Sequence, residues 1–186
     1  GTLAVDGTMA LATHGTGAAT VVNDAGLNFA LSTVGGALSA TATTGNVAQS
    51  GVLTITGAAT FTAANGQSIY LDRANTFSNT VAFSSAGTLA NVTIIDSNDF
   101  DLSALALSGN LVAISTGGSI TDSGALRISG TSWFLTITSN KDIALDTTTN
   151  VFTGAVALNT TGSTGNATVD GGTTQLDIAA STVGGN

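Results

Sequence analysis

The sequence has no cysteine, no proline and no glutamate, a single histidine and only three strong cations, Arg73, Arg127 and Lys141. Each gap excludes something. A chain without cysteine has no disulfide framework, a composition that suits export through a periplasm. His14, in the turn-like stretch Thr13-His14-Gly15, has no second imidazole and no thiol with which to share a transition metal, and reads as a loop residue. Three cations in a chain of net charge −8 give nucleic acid nothing to bind. No apolar run reaches the roughly eighteen residues of a membrane-spanning helix. The nine aromatic side chains are too few for the girdles of an outer-membrane barrel, so no membrane insertion is expected. Glu, Lys, Arg and Gln, which normally coat helices, are nearly absent, and no α-helix is expected anywhere.

What remains is rich in Val, Ile, Thr and Phe, which favour pleated surfaces, and in Gly, Asn, Asp and Ser, which favour turns. At 42 % hydrophobic the chain can bury enough apolar surface to order itself. Self-comparison shows a repeat. Gly51-Val-Leu-Thr-Ile-Thr-Gly57 returns as Gly124-Ala-Leu-Arg-Ile-Ser-Gly130, Phe61 as Phe134, Ile69-Tyr-Leu-Asp72 as Ile143-Ala-Leu-Asp146, and Asn75-Thr-Phe77 as Asn150-Val-Phe152. The offset of 73 to 76 residues gives about two and a half copies, framed here as 1–47 (partial), 48–118 and 119–186 (partial). Within a copy, apolar beads such as Leu53/Ile55, Phe61, Ile69/Leu71 and Val81/Phe83 recur every seven to ten residues, most of them alternating with Thr, Ser or Ala. Such beads predict strands of three to five residues with one buried face.

Strands this short cannot stand as hairpins. Wound into coils of roughly 20–25 residues, each lies beside its counterpart one turn along the axis. The expected fold is therefore all-β, a right-handed parallel β-helix (β-solenoid) of roughly eight short coils. Neither end reads as a polar cap, so adjacent coils, in the same chain or in another copy stacked end to end, are the expected partners.

The segments Ile120-Thr-Asp-Ser-Gly-Ala-Leu126, Ile143-Ala-Leu-Asp146, Asn150-Val-Phe-Thr-Gly-Ala-Val156 and Leu176-Asp-Ile-Ala-Ala-Ser-Thr-Val-Gly-Gly185 resemble the repeats of filamentous-haemagglutinin-type exoproteins, the large adhesins of two-partner secretion. The looser copy from Gln49 to Asn110 has the same order of elements. The resemblance implies a right-handed parallel β-helix, secretion to the surface of a Gram-negative bacterium, and a role as an adhesin stalk or filament, with host or biofilm glycans as candidate partners. It carries no catalytic residues and no cofactor.

The chemistry on offer is thin. Lyases and hydrolases built on β-helices need clustered Asp, Arg, Lys or His in a groove, and no enzymatic activity is expected of this chain. Asp96, Asp99 and Asp101 form the only acidic cluster; they are a weak candidate for Ca²⁺, against a reading as turn and capping residues between the strands at Ile94 and Leu102. Trp133, which replaces Thr60 of the other copy and neighbours Phe134, is expected to face outward as a surface contact. The pairs Thr54/Thr56, Thr60/Thr62 and Thr136/Thr138 suggest an ice-binding array but fall irregularly along the repeat. The Asn-x-Thr triplets at Asn91, Asn159 and Asn166 read as chance in so Thr-rich a chain.

Overall fold

In the computed structural model, which describes residues 1–186, every regular element is a short strand and every pairing is parallel. The chain runs β1 (Ala19–Asn23), β2 (Leu27–Phe29), β3 (Ser32–Val34), β4 (Leu38–Ala42), β5 (Val47–Gln49), β6 (Leu53–Ile55), β7 (Ala59–Ala63), β8 (Ile69–Phe77) and β9 (Val81–Ser85). It continues through β10 (Val92–Asp96), β11 (Phe100–Leu102), β12 (Leu105–Leu107), β13 (Leu111–Ser115), β14 (Ile120–Asp122), β15 (Leu126–Ile128), β16 (Ser132–Thr136), β17 (Ile143–Leu145), β18 (Val151–Phe152), β19 (Val156–Asn159) and β20 (Ala167–Val169). Apolar or small residues point in and Thr, Ser or other side chains point out: β7, Ala-Thr-Phe-Thr-Ala, alternates buried and half-buried positions throughout.

Two main sheets run along the solenoid. Sheet one stacks β1-β4-β7-β9-β11-β14-β17-β20, and sheet two stacks β2-β5-β8-β10-β13-β16-β19. Eight strands in sheet one mean seven stacking steps, a rod of about 34 Å at ~4.8 Å per step. Coil length varies: Ala19 pairs with Leu38 at the start, and Ile143 with Ala167 near the end. The surplus residues sit in corners such as Thr160–Asn166.

A third, short ladder completes each coil, and it changes sides. In the first half it is β3–β6 and the end of β8, between sheet two and the return to sheet one. In the second half it is β12–β15–β18, between sheet one and sheet two. The switch falls at residues 86–91, where Leu89 alone bridges to Leu107 of β12 and the chain passes straight from β9 to β10.

The sequence repeat explains this. At an offset of 73 to 75 residues, β1 corresponds to β10, β4 to β13, β7 to β16 and β9 to β19. The first four lie on sheet one and their counterparts on sheet two. A copy crosses one main sheet four times and the other three times, an odd number, so it winds through three and a half coils. Equivalent residues of successive copies therefore lie on different sheets. The Thr-x-Thr pairs are not equivalent: Thr60 and Thr62 point outward from sheet one and are replaced by Trp133 and Leu135 on sheet two, whereas Thr136 takes the inward place of Ala63 and is buried.

One apolar core of 36 residues runs the length of the rod. Its widest side chains cluster around Phe61, which meets Phe29 and Phe77 edge-on and stacks on Phe83 at centroid distances of 5.9–6.4 Å. Ala40, Ala59 and Ala63, all buried, make room for these rings. Corners stack as closely: a Cβ on Gly118 would lie 1.9 Å from the backbone nitrogen of Asp99 in the coil below.

Replacing Phe61 with Ala should cost about 3–5 kcal/mol in a denaturant titration. Thr60→Ala, one residue away but outward, should change stability by less than about 0.5 kcal/mol.

Candidate functional site

The acidic trio does not converge. Asp96 ends β10 on the inside of the coil and is fully buried. Asp101 projects from β11, where Ser123 and Thr121 of the next coil donate hydroxyl hydrogen bonds to it. Asp99 lies on the exposed corner, accepting the Ser119 amide at 2.6 Å with Lys141 Nζ 3.7 Å away. Nowhere do three His, Cys, Asp or Glu side chains gather as metal ligands would. Asp99 and Asp101 line a shallow groove of about 360 Å³ with Ser78, Asn79, Thr80 and Thr121. Its walls carry carboxylates, hydroxyls and an amide, and no imidazole or cation. His14 is exposed beside a turn closed by the Gly17 amide on its carbonyl.

Asp96 does bond like a capping residue, its Oδ1 accepting the amides of Ser97 (2.7 Å) and Phe77 (3.1 Å), but it does so inside the core. Its Oδ2 is buried without a hydrogen-bond partner. In the preceding copy the equivalent residue is Asn23. That side chain accepts the Val5 amide, and its NH₂ donates to the carbonyls of Val5 and Gly26. Asp96, at the equivalent place, has no NH₂ to donate as Asn23 does. Burial pushes the Asp96 carboxyl up to about 6, with the amides of Phe77, Ser97 and Asn98 pulling the other way.

A second acid repeats the pattern. Gln49 Oε1 accepts a hydrogen bond from Asn75, whose own Oδ1 accepts the Leu53 amide at 2.9 Å. One copy later, Asp122 accepts from Asn150 at 2.7 Å, and Asn150 Oδ1 accepts the Leu126 amide at 2.8 Å. These clasps tie the start of the short ladder to the main sheets. Burial raises the Asp122 carboxyl above the ordinary range, against the hydrogen bonds from Asn150 and Thr147. Both clasps escape a reading by residue type, since Gln, Asn and Asp look like turn residues; the match of Asn75 to Asn150 was the available signal.

Trp133 points outward from β16 and is 42 % exposed, while Phe134 is fully buried. It does not stand alone. The outward residues of β10, β13 and β16 pair across coils as Thr93–Val112–Trp133 and Ile95–Ile114–Leu135, with Tyr70 of β8 beside Thr93 and exposed Ile137 just beyond β16. An apolar patch covers the outer face of β10, β13 and β16, bounded by Asn159 of β19.

Because the Asp96 carboxyl is raised in the folded state, its contribution is fully present below about pH 4 and is lost as the pH climbs through about 6. Asp122 acts in the same direction. Denaturant unfolding should show the protein more stable at pH 4.5 than at pH 7.5. Asp96→Asn, which restores the residue of the preceding copy, should flatten that dependence and stabilise at pH 7.5 by up to about 3 kcal/mol. Asn150→Ala, which strips the Leu126 amide and Asp122 of their partner, should cost about 2–3 kcal/mol at either pH.

A search of curated proteins and a search of solved structures found no match. A family model described as repeats of unknown function (DUF5649) matches twice, over residues 16–84 and 89–159. The two matches are separated by residues 85–88, at the segment where the short ladder changes sides, and each spans one three-and-a-half-coil copy, from β1 to β9 and from Leu89 to β19. They share the period of the copies framed as 48–118 and 119–186 but cut it at a different phase. With most of its length in these two copies, the chain belongs to this repeat family.

Proposed function

We propose that this chain is a structural repeat module of an extracellular bacterial adhesin stalk or filament, a rigid rod that holds a contact surface away from the cell. One observation carries the reading: a single core runs unbroken through every coil, with the backbone of each coil hydrogen-bonded to the next. Such a rod resists bending because no hinge separates one coil from another. Its length scales with the number of copies, each adding about 17 Å at ~4.8 Å per coil. The likeness of its repeats to filamentous-haemagglutinin-type exoproteins supports the surface location and the adhesive role. No catalytic role is assigned to any residue.

A second reading, binding of glycans or ice, draws on the outer face of sheet one. There Thr20–Ser39–Thr60–Ala82 and Val22–Thr41–Thr62–Ser84 form two straight columns over four coils. Thermal hysteresis, or retention on a glycan array that Thr60→Leu plus Thr62→Leu abolishes, would favour it over the stalk.

Deleting the segment from its parent gene should shorten the surface fibre seen by electron microscopy by about 34 Å and weaken cell attachment. Fibres of unchanged length, or no surface labelling by antibodies against the chain, would refute the stalk.

A further inference from the structure

The two family copies serve as each other's control. Their long strands occupy the same place in the repeat, so outward positions can be compared pair by pair. Val22 of the first copy is Ile95 in the second, Ser39 is Val112, Thr41 is Ile114, Thr60 is Trp133 and Thr62 is Leu135. Each of these five changes is toward a larger apolar side chain; of the other outward pairs, Thr20/Thr93 and Ala82/Ala157 are unchanged and Ser84 becomes Asn159. The fold does not demand this, since hydroxyls and smaller groups fill the same places on sheet one. Something other than folding accounts for the apolar face of sheet two.

We infer that the outer face of β10, β13, β16 and β19 is a docking surface for the same face of a second copy of this chain. The first support is charge. In a molecule of net charge −8, the eight outward positions of these strands carry no charge, and unlike the equally uncharged outer face of β1, β4, β7 and β9 they are mostly apolar. Two copies can meet there without bringing like charges together, which no acidic face allows. The ion-paired Asp72 and Arg73, on the bulge of β8 beside Ile95, mark the edge. The second support is chemistry. Over β10, β13 and β16 the column Ile95–Ile114–Leu135 has no donor or acceptor to offer a polar ligand, Trp133 and Val112 widen it, and it ends at Asn159 of β19. A flat aliphatic sheet face is best covered by another, packed at ~10 Å as in a sandwich core. The third is area. Four strands of about five residues present a footprint of ~300 Å², below the ~800 Å² per partner of a stable complex. Single chains therefore pair weakly, and rods bearing several such faces pair strongly by avidity. This surface joins rods side by side and stands whether or not the rod is a stalk.

The test is sedimentation equilibrium of the intact chain up to about millimolar concentration. The variant to compare carries the first copy's residues on sheet two: I95V, V112S, I114T, W133T and L135T. These side chains are already accommodated at equivalent places, and circular dichroism verifies that the fold survives. A control, Thr41→Asp with Thr62→Asp, alters the outer face of sheet one. The proposal predicts reversible dimerisation of wild type and control, weakened at least tenfold in the swapped variant. A wild type monomeric throughout, or association equal in all three proteins, as end-to-end stacking would give, overturns it. So does a wild type that stays monomeric while neutral polysaccharide shifts its Trp133 fluorescence.

Discussion

Hydrogen bonding between coils is the constraint from which the rest follows. A parallel strand of three to five residues cannot satisfy its own amides and carbonyls, and a buried backbone group left unpaired is costly. Each coil therefore has to lie on its neighbours in register, strand over strand, and most of the 99 backbone hydrogen bonds join one coil to the next. Registry then dictates the side chains. Inward positions become columns, so a Phe at 61 calls for Ala at 40, 59 and 63, and corners must stack closely enough that Gly118 has no room for a Cβ.

Registry also gives the repeat an unexpected property. A copy that crosses the main sheets an odd number of times hands its long strands to the other sheet in the next copy. The exchange falls at Leu89, whose single bridge to Leu107 stands where the short ladder would otherwise have a strand. Duplication thus places equal sequences in unequal surroundings, and the copies have diverged: hydroxyl columns outside the first, apolar columns outside the second, and buried Asn23 and Gln49 answered by Asp96 and Asp122.

Much of this was legible beforehand. Period-two beads, absent helix formers and a long offset pointed to a parallel solenoid, and the strands lie where Leu53, Phe61, Ile69, Val81 and Ile120 placed them. Trp133 was expected to face outward from its exchange with Thr60, and it does. Three things were not legible. The change of sheet between copies depends on counting passes through a closed coil, which linear spacing does not reveal. Asp96 lies close to Asp99 and Asp101 in sequence, yet a strand end turns it inward while the following corner turns Asp99 out. The Gln49–Asn75 and Asp122–Asn150 clasps join residues some 26 and 28 positions apart, a link that only stacking makes. The surface adhesin stalk is a proposal that draws on the likeness to exoprotein repeats and on the continuous core.

Successive coils advance along one axis by a fixed step. Paired spin labels on the outer face of sheet one measure that directly, with one label held at Thr20 and the other moved to Thr60, Thr121 and Thr168. Stacking in the order β1-β4-β7-β9-β11-β14-β17-β20 predicts separations rising almost linearly, near 10, 24 and 34 Å at ~4.8 Å per coil. Separations that level off or shorten as the second label moves toward the C-terminus would mean that the coils do not stack as described, and the account would fall.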